Sequence, residues 1–400
     1  MRAAVVFVLL FLAVPVLAEQ ATPPATVEIS GVFLAQFKEH PNPKVLNAVR
    51  VNADWAMTEG PYSVMNKRET PPGGTKHDYM SLGPYWWPNP KTKNGLPYIR
   101  KDGQVNPDFY KISDAREFDK LVSVVHTLGL GYYLTGKEEY ATRAVYLLRT
   151  WFLNPATRMY PNLKYAQGIP GITPGRGIGI IDTHEMPMLL DGIALISGSP
   201  ALTAQDKAGL HEWFSQFLKW LVTSKNGQDE SNAKNNHGSW YDQQVVGIEL
   251  FLGDKDQARQ VAEAAETKRI ALQIKANGSE PLELARTKSF SYSVFNLEAL
   301  VRLAQEAQHA GVDLWSYRAP NGGSIRSALN YLLPYALGQK KWTHEAIYGV
   351  HPGILAEPLL VAAIHYRDAV YLKDAERLER NPNPYTLLLQ QEAEDALAQQ

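Results

Sequence analysis

The apolar residues of this chain recur at helical spacing almost from end to end, and that spacing limits its folds more than any other feature. Between Asp114 and Leu134 they fall at Phe118, Leu121, Val124, Val125 and Leu128. Between Glu138 and Phe152 they fall at Tyr140, Ala144, Leu147, Leu148 and Trp151. Steps of three and four place such residues on one face of an α-helix. The same spacing predicts helices over about 44–57, 178–196, 203–224, 239–252, 255–275, 292–310, 324–338 and 355–372. Gly136, Asn154-Pro155 and Gly253 supply stops of the kind that end helices. Few stretches alternate with period two, so no strand ladder is expected. Segments pair through short connections, 114–134 with 138–152 and 239–252 with 255–275, which predicts one all-α domain of antiparallel hairpins, either a solenoid or an α/α toroid. No strict repeat recurs, which favours the toroid.

The helical texture is interrupted from Gly60 to Asn106, where Pro71-Pro72-Gly73-Gly74 is followed by Tyr79, Tyr85, Trp86, Trp87 and Pro88. A stretch this long without regular structure inside a compact domain is expected to be functional. The toroid itself is expected over 44–378, preceded by a polar, mobile leader (19–43) and followed by a loosely held polar tail (379–400). Residues 1–18 read as a cleavable export signal. Arg2 precedes a short apolar run, Pro15 breaks it, and Val16-Leu17-Ala18 places small residues before the cut. A periplasmic or secreted monomer is expected, with no membrane span after the signal.

Composition removes several classes of chemistry. The chain has no Cys, so it has no disulfide framework, thiolate metal site or cysteine nucleophile. Lys+Arg is 40 and Asp+Glu is 41, a balance that speaks against a general nucleic-acid or anionic-membrane binder. His184-Glu185-Met186-Pro187-Met188 begins like a zinc-protease helix but lacks the second His. Gly175-Arg176-Gly177-Ile178-Gly179 follows no strand and so fails the dinucleotide test. No metal and no cofactor are expected.

Three clusters remain. Lys76-His77-Asp78-Tyr79 with Gly83-Pro84-Tyr85-Trp86-Trp87-Pro88 offers aromatic faces suited to pyranose rings. Asn235-Asn236-His237-Gly238-Ser239-Trp240-Tyr241 places an amide and an imidazole at a helix start, either as a polar cap or as a carboxylate-binding corner. Arg286-Thr287-Lys288-Ser289-Phe290-Ser291-Tyr292 combines an Arg able to clamp a carboxylate with a Tyr whose pKa a cationic neighbour should lower. Asn236, His237 and Arg286 beside Tyr292 form the set that β-elimination on a uronic acid requires. Removing the C5 proton puts a second negative charge on the carboxyl group, which preorganised donors must neutralise. A base takes that proton and an acid protonates the leaving O4.

The blocks His77-Asp78-Tyr79-Met80-Ser81-Leu82-Gly83-Pro84-Tyr85-Trp86-Trp87-Pro88, Gly177-Ile178-Gly179-Ile180-Ile181-Asp182-Thr183 and Asn235-Asn236-His237 resemble the alginate lyase domain superfamily. The chain looks most similar to the glucuronan and mannuronate lyases of polysaccharide lyase family thirty-eight, and more distantly to the family five alginate lyases. The resemblance runs from about residue 45 to 375. It implies an incomplete α/α toroid with a central cleft, metal-independent elimination on an anionic polysaccharide, and catalytic roles for Tyr292, His237, Asn236 and Arg286. Where family five continues Asn-His with Ser-Tyr-Trp, this chain has Gly238-Ser239-Trp240. Contacts to substrate are expected from His184, Arg176, Tyr79, Trp86, Trp87, Trp240, Tyr241 and Lys288. The base is left open between Tyr292, His237 and His184.

β-D-mannuronate and β-D-glucuronate share their C4 and C5 configurations, so one Tyr on one face of the ring serves both. α-L-guluronate is the C5 epimer and needs a base placed elsewhere. The rival readings are a glycoside hydrolase, which would need a carboxylate pair drawn from Asp182, Glu185, Asp242 and Glu283, and a polysaccharide-binding protein without catalysis.

Overall fold

The structure, a computed structural model, describes residues 23–399. The expected export signal lies outside them. Among the described residues fifteen α-helices follow in order. α1 (Gly31–Glu39) and α2 (Pro43–Ala56) precede the long interrupted stretch. α3 (Asp114–Thr135), α4 (Glu138–Leu148), α5 (Met186–Leu195), α6 (Ala204–Thr223), α7 (Lys225–Ser231) and α8 (Asn236–Leu252) come next. α9 (Lys255–Ala265), α10 (Pro281–Leu284), α11 (Ser289–His309), α12 (Ile325–Ala336), α13 (Ala356–Tyr366), α14 (Ala369–Leu378) and α15 (Pro384–Ala398) complete the series.

Local chemistry sets the ends. The Asn42 side chain accepts from the Lys44 N–H ahead of Pro43, and Thr203 and Asp206 cap α6 reciprocally. Gly136 and Gly253 close α3 and α8 at φ 71° and 86°, a left-handed geometry that a side chain would strain.

The helices form an α/α toroid. Packing runs from α2 to α3, α5, α8, α11 and α13, then through α15 back to α2. α4, α9 and α14 pair with α3, α8 and α13 as the outer partners of hairpins. The apolar interior falls into two clusters. One lies among α2, α3, α4, α5, α6 and α8, built around Phe118, Trp151, Phe214 and Phe217. The other lies among α1, α9, α11, α12, α13 and α15, built around Phe33, Phe290, Leu329 and Leu388.

Both ends of the expected domain need correction. The leader is not mobile where it is described. The Val27 and Glu28 N–H groups donate to the buried Asp191 carboxyl at 2.7 and 2.9 Å, and Phe33, Leu34 and Phe37 of α1 are core residues. The tail is not loose either. α15 buries Tyr385, Leu388, Leu389 and Ala393, and the Tyr385 hydroxyl donates to the Glu28 carbonyl at 3.0 Å. Short amphipathic segments flanked by polar residues hide their packing from a composition reading, because a few large apolar side chains suffice to dock them.

The interrupted stretch contains three of the four short strands of the described residues. β1 (Met80–Leu82) runs parallel to β4 (Tyr165–Gly168), and β2 (Trp86–Trp87) runs antiparallel to β3 (Ile99–Arg100). Both ribbons lie at the mouth of the toroid and form one wall of its cavity. The segment expected as a helix over 178–196 is a 3-10 turn, Gly177–Thr183, followed by α5. Pro187 sits in the first turn of α5, where it is tolerated. Gly179 serves close packing there, since a Cβ would lie 2.5 Å from Ala166.

Candidate active site

A cavity of about 560 Å³ opens at the end of the toroid. Its walls include Trp86, Arg176, His184, Asn236, His237, Arg286 and Tyr292, so the structure gathers these expected site residues from segments more than two hundred positions apart. A larger groove of about 850 Å³ lies between α4 and α6 around Arg149 and Trp213, away from all of them.

Asn236 and His237 form the first turn of α8. The His237 Nδ1 meets the buried Glu230 carboxylate at 2.7 Å, which fixes the ring and leaves its other nitrogen free. The Asn236 backbone N–H donates to Glu283 Oε1 at 2.7 Å, and its side-chain Nδ2 donates to both Glu283 oxygens at 2.9 and 2.8 Å. The turn is held from below by Arg269. Its guanidinium grips Asp242 at 2.7 and 3.0 Å and donates to the Ala233 and Ser231 carbonyls. That passage explains Gly238: a Cβ there would lie 2.2 Å from the Ala233 oxygen and 2.4 Å from Arg269.

Tyr292 opens the first turns of α11, and its hydroxyl lies 2.6 Å from the Tyr85 hydroxyl. The Arg286 guanidinium sits 3.8 Å from the centre of its ring. The expected lowering of the Tyr292 pKa is overturned. Burial pushes the phenol up, the adjacent Tyr85 adds to the rise, and Arg286 only partly offsets them. The Arg286 fork is also not free. Its Nε and one terminal nitrogen already bind Asp102 at 3.0 and 2.8 Å, so a bidentate clamp on substrate requires Asp102 to leave.

The opposite wall is built on Asp182. Ser81, Tyr79 and the Gln167 amide all donate to this carboxylate, Tyr79 at 3.1 Å and Gln167 at 2.8 Å. Gln167 adopts φ 46° and accepts from Arg176 through both its backbone and side-chain oxygens at 3.0 Å. A left-handed non-glycine residue costs energy, and here it fixes an arginine beside Trp86. His184 is held by the Ile181 carbonyl at 2.9 Å and by Glu185 at 3.4 Å. Burial works against its charged form, but Glu185, with Glu298 and Asp119, more than offsets this and raises its pKa. Asp119 of α3 also faces the cavity, its carboxyl pushed up to about 6 chiefly by burial.

Five expected contacts lie elsewhere. Tyr79 and Trp240 are 0% exposed, and Tyr241 is buried with its hydroxyl on the Leu221 carbonyl at 3.0 Å. These aromatics are packing: Tyr79, just before β1, and Trp240 and Tyr241 in α8 are buried in the wall behind the cavity. Trp87 turns away and donates to the Gln104 carbonyl at 2.9 Å. Lys288 stands behind the site, its ammonium 5.3 and 5.4 Å from the Tyr85 and Tyr292 ring centres. Sequence reasoning missed Glu230, Asp102, Asp119, Gln167 and Glu283 as supports. Only Glu283 and Arg286 share a local signal, a spacing of three across one short turn.

The four carboxylates considered for a hydrolase are all engaged: Asp182 as above, Asp242 on Arg269, Glu283 on Asn236, and Glu185 on Arg302 at 2.9 Å. Among the described residues no group of three or more His, Asp or Glu is arranged to hold a metal ion, and no helix is long and apolar enough to cross a membrane.

Comparison with known proteins places the chain in a family. The alginate lyase family profile matches residues 63–342. The crystal structure of an alginate lyase from Bacteroides ovatus is 36% identical over 92% of this chain and 98% of its own, with a TM-score of 0.87. Alginate lyase A1-III from Sphingomonas species A1 shares the fold at 19% identity over 91% of this chain and 98% of its own, TM-score 0.57. A variant of A1-III complexed with a tetrasaccharide shares it at 18% identity over 84% and 92%, TM-score 0.54. No curated protein sequence matches. The profile spans well over half of the chain and takes in the whole cavity wall from Tyr85 to Tyr292, and on that ground this chain belongs to the alginate lyase family and is a polysaccharide lyase.

Proposed function

We propose that this enzyme cleaves a (1,4)-linked polyuronate, poly-mannuronate or glucuronan, by β-elimination. The observation that carries the reading is the convergence of Asn236, His237, Arg286 and Tyr292 on one cavity. The likeness to proteins described as alginate lyases, one of them complexed with a tetrasaccharide, supports a polyuronate as the ligand. In the reaction the C5–H and C4–O4 bonds break, a C4=C5 double bond forms and O4 leaves with a proton. The raised pKa of Tyr292 keeps it protonated at rest, which suits it to deliver that proton. Asn236 and Arg286 face the carboxyl group on which charge builds. The base follows the ring face. On mannuronate and glucuronate Tyr292 gives its proton to O4 as the same phenolic oxygen takes the C5 proton, so the residue ends as it began; on the opposite face His237, aimed by Glu230, takes the C5 proton while Tyr292 protonates O4. Export to the periplasm or beyond belongs to the same reading and is supported by the pattern of residues 1–18.

The test is ultraviolet absorbance of the conjugated product from purified protein on glucuronan, poly-mannuronate and poly-guluronate. A strong rise on either of the first two and a weak one on poly-guluronate is expected. Cleavage of poly-guluronate alone, or new reducing ends without a double bond, would overturn the proposal.

A further inference from the structure

The Asn236 amide carries a contradiction. Asn236 is assigned to neutralise a carboxylate, which requires an N–H directed at substrate. Yet both of its nitrogens, backbone and side chain, are spent on Glu283, and its side-chain oxygen is buried with no partner. This arrangement suits an ionised Glu283, and it offers an incoming carboxylate an acceptor rather than a donor. The amide is nearly symmetric in shape, so a half-turn about its last bond needs no extra space. After that turn the side-chain oxygen meets Glu283, and the contact is favourable only if Glu283 carries a proton.

We propose that Glu283 is a positioning residue that works as a neutral carboxyl, donating its proton to the Asn236 side-chain oxygen so that the amide N–H groups face the bound uronate. The surroundings support this. Glu283 is 1% exposed on α10, and Glu280, at the start of the same short helix, is a second buried carboxyl with neither oxygen hydrogen-bonded. Arg286 lies one turn further on but is committed to Asp102, and His237 faces Glu283 from α8 but is committed to Glu230. Neither cation pairs with Glu283; burial pushes its carboxyl up, and the Asn236 hydrogen bonds and the more distant Arg286 and His237 only partly offset that rise. Ionisation at higher pH turns the amide back and withdraws the donor.

This inference rests on the carboxylate-binding role given to Asn236, and its test separates the two. Glu283→Ala should lower kcat/KM about a hundredfold, the loss typical of one preorganised donor. Glu283→Gln has the hydrogen-bonding pattern of a protonated Glu: its amide donates to the Asn236 side chain while its oxygen accepts the backbone N–H. It should restore kcat/KM to within about tenfold of wild type and should flatten the decline of kcat/KM on the alkaline side. A Glu283→Gln protein with wild-type thermal midpoint but the inactivity of Glu283→Ala would overturn the proposal. Infrared difference spectra between wild type and Glu283→Gln at neutral pH need no turnover. A carboxylic-acid C=O band lost in the variant is expected, and its absence sinks the proposal even if the wild type proves inactive on every polyuronate. Inactivity with the band present would count against the functional reading alone.

Discussion

Tyr292 shows how a neighbouring charge and burial compete at a single residue. Arg286 lies against its ring, but the phenol is held in a buried corner beside Tyr85, and desolvation of a phenolate outweighs one guanidinium already shared with Asp102. The acid form therefore persists across the neutral range. Tyr292→Phe is expected to lower kcat by about a thousandfold on every polymer the enzyme accepts while leaving KM within a few-fold, because the lost proton transfer acts only in the transition state. Steady-state kinetics on two polyuronates checks this. Glu230 orients His237. Its replacement by Ala should reduce turnover by roughly tenfold to a hundredfold, a loss like that from removing the partner that orients a histidine. The loss should be larger on poly-guluronate than on poly-mannuronate if His237 serves the opposite face. Equal losses on both polymers would remove that division of labour.

At the scale of elements, the site depends on how segments are tied down behind it. Arg269 lies in a π-helical segment, Glu266–Ala271, that continues α9, and it anchors both the connection before α8 and Asp242 within it. Gly238 leaves room for that guanidinium. Gly238→Ala should displace it, lowering stability by about 1–3 kcal/mol through overpacking and weakening activity as the Asn236-His237 turn shifts. Chemical denaturation with parallel assays reads both. The β2–β3 ribbon is tied to the site through Asp102, whose carboxyl the Arg286 guanidinium holds well below the usual range despite partial burial. Asp102→Asn weakens that tie. Limited proteolysis within residues 89–103 should become faster, and an unchanged cleavage rate would show that other contacts hold the ribbon.

Across the whole molecule, the toroid places several buried carboxyls around one cationic centre. Arg302 contacts Glu185, Glu298 and Glu357 at 2.9 Å each and Glu28 at 3.8 Å, joining the N-terminal segment to α5, α11 and α13. Burial raises Glu357, Glu249, Glu392 and Asp114 to about 7, and Asp119 to about 6. A carboxyl with a raised folded pKa binds more protons when folded, so stability falls as pH rises from the unfolded value to the folded one. His126 and His365, lowered to about 4 and about 3 by burial, act in the opposite sense below their unfolded value. The carboxyls outnumber them and continue to titrate up to pH about 7. The thermal midpoint is therefore expected to decline from pH ~5 to pH ~7.5. A midpoint that rises over this window would contradict the assignment of these carboxyls as buried and protonated.

The sequence alone determined most of the helices and the class of fold, because a 3.6-residue period survives in any packing arrangement and caps such as Thr203 and Gly136 act locally. It also supplied the Asn236-His237 and Arg286-Tyr292 pairs, whose chemistry is a property of residue type. It misjudged Tyr79, Trp240 and Tyr241, since an aromatic looks the same whether it lines a cavity or fills the wall behind one. It gave no hint that α15 and the segment before α1 complete the ring. Only tertiary structure decided these, together with the partners Glu230, Glu283 and Asp102. A carboxylate becomes a support by the atom it touches, and contacts between residues as far apart as Asp102 and Arg286 leave no trace in spacing along the chain.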